Sequence, residues 1–254
     1  MSSNRGTLYL VPAPLDFGCD QQASLHEVMP MATIQIAAGL SHWICENAKS
    51  TRAYIKRIGE LQALAAPVQA QIIQELPREV HKKGDHTGNF DARPLLHVAL
   101  EGHDVGLVSE AGMPAIADPG SSVVRAAHDL DLRVVPLTGP MSLMLALAAS
   151  GLNGQDFAFN GYLPQVPTHR MQRIRQLESA TLSNGQTQIF IETPYRNAAL
   201  LQALLQTLQP NTRLALSCGL TLDAVWSKCA LVSKWRRDKP SAPLSLPTVF
   251  CIGR

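Results

Sequence analysis

The 254-residue sequence has little that would hold it in a membrane or export it. Its longest apolar runs, such as residues 141–149, are about half as long as the roughly 20 residues that span a bilayer. The amino terminus lacks the apolar segment of a secretion signal. Hydrophobic residues make up 46% of the chain and charged residues 17%, which excludes a disordered protein. We therefore expect a soluble cytoplasmic protein without a membrane partner.

Cysteine and histidine are sparse and are not grouped. The five cysteines are widely spaced and form no Cys-x-x-Cys motif, which predicts reduced thiols rather than disulfides. The eight histidines are scattered, without cysteine or acidic partners at ligand spacing. The sequence therefore predicts no metal site.

The motifs of several large enzyme classes are also missing. No Gly-x-Gly-x-x-Gly follows a strand, and no Gly-x-x-x-x-Gly-Lys-Ser/Thr phosphate loop is present. The sequence contains neither a Gly-x-Ser-x-Gly nucleophile elbow nor His-Glu-x-x-His. These absences argue against a Rossmann-type dehydrogenase or methyltransferase, an ATPase, a hydrolase and a metalloprotease.

Charge is divided unevenly along the chain. Residues 1–139 carry 11 basic and 15 acidic side chains, whereas residues 140–254 carry 11 basic and 5 acidic ones. This asymmetry predicts two domains, 1–139 and 140–254, with different surfaces. The basic second half is where we expect a polyanionic partner.

The hydrophobic pattern predicts an α/β protein. Residues 104–109 and 132–137 are apolar runs flanking a helical pattern at 121–130, which indicates a βαβ unit on a parallel sheet. Ser121 or Ser122 is the expected N-cap of that helix. The polar segment 77–94 is expected to be a loop. In the first half we further predict strands at 8–11 and 33–38 and helices at 50–64 and 94–100.

After residue 140 the alternation of strands and helices restarts. The predicted fold class is therefore two successive α/β domains with mostly parallel or mixed sheets. In this half we predict helices at 141–150, 168–180 and 196–208, and strands at 157–162, 188–192, 214–217 and 248–252.

Loops rich in small residues and proline follow four of the predicted strands. They cover residues 11–15, 108–120, 136–142 and 191–196. Ligands of open parallel sheets gather beyond the carboxyl ends of the strands, and small residues let the backbone approach a ligand closely. Tight turns are the alternative interpretation of any one such loop. The free N–H groups at 142–144 open a helix and would suit a carboxylate.

In these segments the chain resembles the tetrapyrrole methylase family of S-adenosylmethionine-dependent methyltransferases. Within that family it is most similar to the group that methylates ribose hydroxyls of small-subunit ribosomal RNA. The first loop departs from that group's pattern at Asp16 and Phe17, and residues 46–51 keep only Glu46 and Thr51 in register. The resemblance rests on Leu107-Val-Ser-Glu-Ala-Gly-Met-Pro-Ala-Ile-Ala-Asp-Pro-Gly120, Arg133-Val-Val-Pro-Leu-Thr-Gly-Pro140, Ala146-Leu-Ala-Ala-Ser-Gly-Leu152, Gly161-Tyr-Leu-Pro164 and Glu192-Thr-Pro-Tyr-Arg196.

The resemblance implies that S-adenosylmethionine is bound in a cleft between the two domains of a homodimeric enzyme. Glu46 and Lys49 are candidates for binding or deprotonating the acceptor hydroxyl, although both also fit ordinary helix-surface charges. Asp118 is expected to be a turn or cap residue. Arg170, Arg173 and Arg196 are expected to contact an RNA substrate. By position the cofactor-binding residues are Pro12, Ala13, Pro14, Leu15, Ser109, Glu110, Ala111, Gly112, Met113, Met141, Ser142, Glu192 and Ala215.

Two other functions stay open at this point. One is methylation of a tetrapyrrole ring carbon, since a tetrapyrrole also carries many carboxylates. The other is a cofactor-binding homologue that has lost catalysis, which the altered segments at 16–17 and 46–51 suggest. A second basic cluster, at 228–239, lies near Trp226 and Trp235 and fits either RNA binding or a solvated basic loop.

Overall fold

The computed structural model describes residues 5–83, 85, 90–238 and 241–254. The chain divides into two compact units, Met1–Pro140 and Met141–Arg254, called unit 1 and unit 2 below. Each unit has its own five-stranded sheet within the described residues.

Unit 1 is built on a parallel sheet. Its strands are short and apolar, as expected for strands that are covered by helices on both faces. Their order is β3-β2-β4-β1-β5, and all four neighbouring pairs are parallel. The strands are β1 (Thr7–Val11), β2 (His42–Cys45), β3 (Ile72–Glu75), β4 (Val105–Val108) and β5 (Arg133–Pro136).

Helices cover both faces of this sheet and create two apolar cores. One core contains Trp43 and Ile58, and the other contains Leu8 and Leu107, all of them nearly inaccessible to solvent. The helices are α1 (Leu25–Val28), α2 (Met31–Ala38), α3 (Ala48–Gly59), α4 (Arg78–Lys83), α5 (His97–Leu100) and α6 (Ser121–Asp129), with 3-10 turns at Val68–Ala70 and Arg93–Leu96.

Two predictions for unit 1 were wrong. Residues 33–38 form part of helix α2 rather than a strand; Thr33, Ile34, Ala37 and Ala38 are buried together because they share one face of the helix. The segment 77–94 is not simply a loop, since it contains α4 and the start of a 3-10 turn. Residues 84 and 86–89 of that segment lie outside the described part of the chain.

Unit 2 is built on a mixed sheet of order β6-β7-β10-β8-β9, in which only β6 and β7 are parallel. Phe190 and Phe250 stack at its centre, with ring centroids 5.9 Å apart. The strands are β6 (Phe157–Tyr162), β7 (Thr187–Glu192), β8 (Arg213–Cys218), β9 (Trp226–Leu231) and β10 (Thr248–Gly253); the helices are α7 (Ser142–Ser150), α8 (Pro167–Asn184), α9 (Asn197–Thr207) and α10 (Val232–Asp238), with a 3-10 turn at Pro194–Arg196.

The predicted fold class is confirmed, because each unit is α/β and the sheets are one parallel and one mixed. The βαβ unit formed by β4, α6 and β5 is present as predicted. Within the described residues, no helix combines the length and apolar character that crossing a bilayer requires.

Candidate active site

The loops after β1 and β4 meet at the carboxyl edge of the parallel sheet. The Ala13 N–H donates to the Gly112 carbonyl over 2.8 Å, and the Gly112 N–H donates back to the Ala13 carbonyl over 2.9 Å. Gly112 adopts a left-handed φ of 73°, which a residue with a side chain rarely tolerates. The two predicted cofactor loops are thus joined by a reciprocal pair of backbone hydrogen bonds.

The loop after β5 packs equally closely against the loop after β1. A Cβ atom added at Gly139 would collide with the ring of Pro12. The Thr33 hydroxyl donates to the neighbouring Thr138 carbonyl over 2.7 Å and so ties helix α2 to the same loop. Close approach, rather than an unusual backbone angle, is what requires glycine at position 139.

The end of the loop after β4 is fastened by Asp85, a residue that sequence reasoning missed. Its buried carboxylate accepts hydrogen bonds from the Gly120 N–H (2.9 Å), the Ser121 hydroxyl (2.8 Å) and both the N–H and hydroxyl of Ser122 (2.8 and 2.6 Å). The expected N-cap, Ser121 or Ser122, was wrong, because Gly120 occupies that position and Asp85 supplies the acceptor. The preceding loop contains Ala115 and Ala117 with φ of 65° and 68°.

We expect Asp85→Ala to lower the free energy of unfolding by about 2–4 kcal/mol, because it leaves buried donors at the start of α6 without an acceptor. Burial opposes ionisation of Asp85, but the hydrogen bonds from Ser122, Ser121 and Gly120 outweigh it and lower the pKa of this carboxyl below its usual 3.8. The stabilisation of the fold by Asp85 should therefore be fully present above pH 3.8 and be lost as the pH falls below that value. Urea unfolding at pH 7 and at pH 3 measures both effects.

The matched control is Asp91→Ala, which removes an exposed carboxylate whose contacts among the described residues are with Arg93. Surface pairs of this kind contribute little, so this variant should unfold like the wild type. If the two variants were equally stable, the assigned role of Asp85 would be wrong.

Three carboxylates gather where β2 and β4 end. Burial raises the pKa of Glu46 to about 8, and repulsion from Asp118 and Glu110 adds to the effect. Burial and the neighbouring Glu110 raise the pKa of Asp118 to about 6. The Oε1 atom of Glu46 is buried and has no hydrogen-bond partner. Asp118, which was expected to be a turn or cap residue, lies in a bend of the loop after β4 and also belongs to this acidic cluster of Glu46, Glu110 and Asp118.

A cavity of about 410 Å³ opens beside this cluster. The segment after β1, helix α3 and the end of β4 surround it, and its lining includes Lys49, Ser109 and Glu110 but not Glu46. The Ser50 hydroxyl donates to Glu110 over 3.3 Å. Of the other predicted cofactor residues, Ala13 and Pro14 line this cavity, whereas Pro12, Leu15, Ala111, Gly112 and Met113 do not.

Asp16 and Phe17, which depart from the related group's pattern, both line the cavity. Asp16 is buried and pairs with Arg57 through two contacts of 2.9 and 3.1 Å. Arg57 also donates to the Ala23 carbonyl over 2.6 Å, so the pair braces the segment after β1. Phe17 is exposed at the rim.

The predicted cofactor residues of unit 2 occupy the end of β7, the middle of β8 and the start of α7. Glu192 is buried and accepts two hydrogen bonds from Arg196 (2.7 and 3.0 Å) and one from the Thr193 N–H. Ala215 is buried in β8, and Met141 is the N-cap of α7, whose first residue is Ser142. The structure thus brings together Glu192 and Arg196, which the resemblance placed on the cofactor and the substrate respectively.

The two basic clusters of unit 2 differ in surroundings. Arg173 donates to the Asn160 side chain over 2.9 Å, and Arg170 lies one turn earlier on α8. In the second cluster Trp235 is a core residue with 1% exposure, and its indole N–H donates to the Leu214 carbonyl. Trp235 therefore offers no stacking surface for a nucleic acid.

Among the described residues no group of three His, Cys, Asp or Glu is placed to hold a metal ion.

Comparisons with known proteins agree on one family. The sequence over residues 47–224 matches the model of the Tetrapyrrole (Corrin/Porphyrin) Methylases. The chain is 32% identical to the ribosomal RNA small subunit methyltransferase I of Mesorhizobium japonicum over 84% of its length and 63% of that protein. It is 38% identical to the protein of that name from Vibrio cholerae over 54% of its length and 46% of the relative. The matched segments thus span less than two thirds of these two relatives.

Solved structures show the same fold at low sequence identity. The uroporphyrin-III-C-methyltransferase of Thermus thermophilus aligns with a TM-score of 0.52 and 16% identity, covering 98% of this chain and 94% of that one. The methyltransferase CobJ aligns with a TM-score of 0.56 and 18% identity over the same shares. On the strength of the family match, which covers more than half of the chain, the protein belongs to the tetrapyrrole methylase family.

Proposed function

We propose that this protein transfers a methyl group from S-adenosylmethionine to a ribose 2'-hydroxyl of small-subunit ribosomal RNA. The observation that carries the proposal is the 32% identity, over 84% of the chain, to a ribosomal RNA small subunit methyltransferase I. Family membership supports methyl transfer, and the basic second half supports a polyanionic acceptor.

The residues at the carboxyl edge of unit 1 fit a cationic donor. The ion pairs among the described residues include none of the carboxylates of the acidic cluster. A ligand with a positive sulfonium and ammonium group would offset their mutual repulsion. S-adenosylmethionine supplies an electrophilic methyl group, so the protein itself needs neither a nucleophilic side chain nor a metal. Ser109, Glu110 and the backbone of the joined loops around Ala13 and Gly112 are the groups that would hold it.

The cavity beside the acidic cluster fits the acceptor. Its volume of about 410 Å³ lies within the range of roughly 300–1,000 Å³ that is typical of small-ligand sites. The Lys49 ammonium group at its wall would bind an RNA phosphate and so orient the ribose. The acceptor proton must leave during transfer. Glu46 does not line the cavity, so when ionised it would accept this proton through one bridging water molecule. A nearby cationic donor lowers the pKa of Glu46, so donor binding would favour the ionised base.

The test is transfer of labelled methyl from S-adenosylmethionine to small ribosomal subunits from a strain that lacks the gene. We expect incorporation at a ribose 2'-hydroxyl, and about a tenfold lower kcat/KM for Lys49→Met because a phosphate contact is lost. Lys56→Met is the matched control, since Lys56 is exposed on the same helix but does not line this cavity. Transfer to uroporphyrinogen III and not to the subunits would contradict the RNA assignment. Donor binding without transfer to either acceptor would favour a non-catalytic homologue.

A further inference from the structure

Two tyrosines stand unusually exposed where β6 and β7 end. Tyr195 is 80% exposed and Tyr162 is 56% exposed, the highest values among the large hydrophobic side chains of the described residues. The two strands are parallel neighbours, and Tyr162 is in register with Ile191 at the end of β7. Both rings therefore lie at the same edge of the sheet. Aromatic surface left in water at one edge commonly marks a binding surface.

The backbone directs both rings outward. The register of β6 shifts between Phe159 and Tyr162, and Gly161 has a left-handed φ of 62° within that irregularity. Tyr195 lies in the 3-10 turn that Pro194 opens directly after β7. Tyr162 thus lies at an irregular strand end and Tyr195 lies in a short 3-10 turn.

Arg196 packs against the Tyr195 ring. Its guanidinium lies 5.1 Å from the centroid of the Tyr195 ring and is held by the buried Glu192 carboxylate. The hydrogen bonds that Arg196 donates to Glu192 raise the pKa of this guanidinium, so it stays charged beside the Tyr195 ring. The guanidinium is already held by a carboxylate at its edge and by a ring at its face. Little further side-chain entropy is therefore lost when it binds a ligand.

Arginines of α8 lie beside the end of β6. Arg173 is bound to Asn160, two residues before Tyr162. The buried Nε of Arg170, one turn earlier, has no hydrogen-bond partner. The two buried acidic groups of this unit among the described residues are engaged, Glu192 with Arg196 and Glu178 with the Gln209 N–H. Arg170 and Arg173 on α8 and Arg196 beside Tyr195 therefore supply positive charge to the segments that carry the two rings.

We propose that the tyrosine–arginine surface, formed by Tyr162, Tyr195, Arg196, Arg170 and Arg173, binds a single-stranded segment of RNA. Unpaired bases would stack on the two tyrosines, and the arginines would contact the adjoining phosphates. This inference deepens the proposed function and rests on it for the identity of the nucleic acid. The pairing of exposed rings with nearby cations favours RNA over an apolar protein partner, because an apolar surface would offer Arg170 and Arg173 no anion.

The test separates stacking from charge. Binding of the full chain to a fluorescent oligouridylate is compared with binding to an abasic ribose-phosphate of equal length, which keeps the charges and removes the bases. We expect Tyr195→Ala and Tyr162→Ala each to weaken oligouridylate binding about tenfold and to leave abasic binding unchanged. Tyr195→Phe should retain affinity because the ring remains. Arg173→Ala should weaken binding to both probes and reduce the salt dependence by about one phosphate contact.

Phe157→Ala is the matched control, since Phe157 is also exposed but lies at the opposite end of β6. Wild-type affinity in Tyr195→Ala, or equal losses on both probes, would overturn the proposal. A change of oligomeric state in Tyr195→Ala, measured by light scattering, would instead assign the surface to a second copy of this chain. If the wild type binds RNA through the tyrosines but methylates no ribosomal subunit, the proposed function fails while this surface stands. If it methylates subunits and Tyr195→Ala keeps the same KM, the surface fails alone.

Discussion

Replacing Glu46 with glutamine should make the protein more stable at pH 8 and at the same time nearly inactive. Glu46 has a pKa of about 8 in the folded protein and an ordinary value of 4.5, so the folded state holds a proton that the unfolded state releases. Stability should therefore fall as the pH rises from 4.5 towards 8. Glutamine stays neutral and mimics the protonated acid, so the variant should gain about 2–4 kcal/mol at pH 8 after allowance for solvent screening.

Methyl transfer should respond in the opposite direction. Removal of a general base typically costs a factor of about 100 to 10,000 in rate. The wild-type rate should rise with pH as Glu46 ionises, and the variant should lose that rise. Thermal unfolding between pH 5 and 8 and the pH profile of kcat/KM measure the two effects.

Glu60→Gln is the control for this pair of measurements, because Glu60 is an exposed carboxylate at the C-cap of α3, the helix that follows Glu46. It should keep both the wild-type slope of stability with pH and the wild-type rate. A Glu46→Gln variant that is fully active would remove Glu46 from the reaction. A variant whose stability falls with pH as the wild type does would show that the carboxyl is not buried among like charges.

Gly139→Ala has the second largest expected effect. The new methyl group collides with the ring of Pro12, so the loops after β5 and β1 must separate. Overpacking of this kind costs about 1–3 kcal/mol of stability. Because a displacement of about 1 Å in positioning groups costs on the order of a hundredfold in rate, methyl transfer should fall far more than stability. Calorimetry with S-adenosylmethionine and the transfer assay measure the loss.

The control Gly154→Ala adds the same methyl group where no atom lies within 4 Å, so it should leave stability and rate unchanged. Pro12→Ala in the Gly139→Ala background removes the outer ring carbon from the collision and should restore part of both. If Gly139→Ala binds S-adenosylmethionine with wild-type affinity, the close approach of these two loops does not shape the donor site.

Elements with a continuous apolar run or clear helical spacing were predictable from sequence, whereas elements with interrupted apolar runs were not. The βαβ unit around α6 and the long helix α8 follow from hydrophobic spacing and from glycines and prolines at their ends. Strands β2 (His-Trp-Ile-Cys) and β3 (Ile-Ile-Gln-Glu) were not predicted, because their apolar runs are only three and two residues long and adjoin polar residues. Helix α2 was mistaken for a strand because its run of Thr, Ile and Ala is apolar on nearly every side. The burial of one face of this segment in the folded protein is what favours a helix over a strand.

Local patterns also indicated the loops of the candidate site but not the partners within it. Asp85 lies in a polar segment and meets α6 from 35 residues away in sequence. Glu46 and Asp118 follow different strands. Nothing in their spacing shows that they lie close enough to Glu110 for its charge to raise their pKa values. Such pairings depend on which strands are neighbours, and that order, β3-β2-β4-β1-β5, is a property of the whole sheet.

By itself, the chain of amino acids determined the alternation of strands and helices, the placement of small residues after strands, and the concentration of positive charge in the second half. These follow from local backbone preferences and composition, which act within a few residues. Only the tertiary structure decided that Trp235 is core while Tyr195 is exposed, that Asp16 is neutralised by Arg57, and that three acidic groups lie together. Those outcomes depend on burial and on Coulomb forces between distant segments, and both arise only when the sheet has formed.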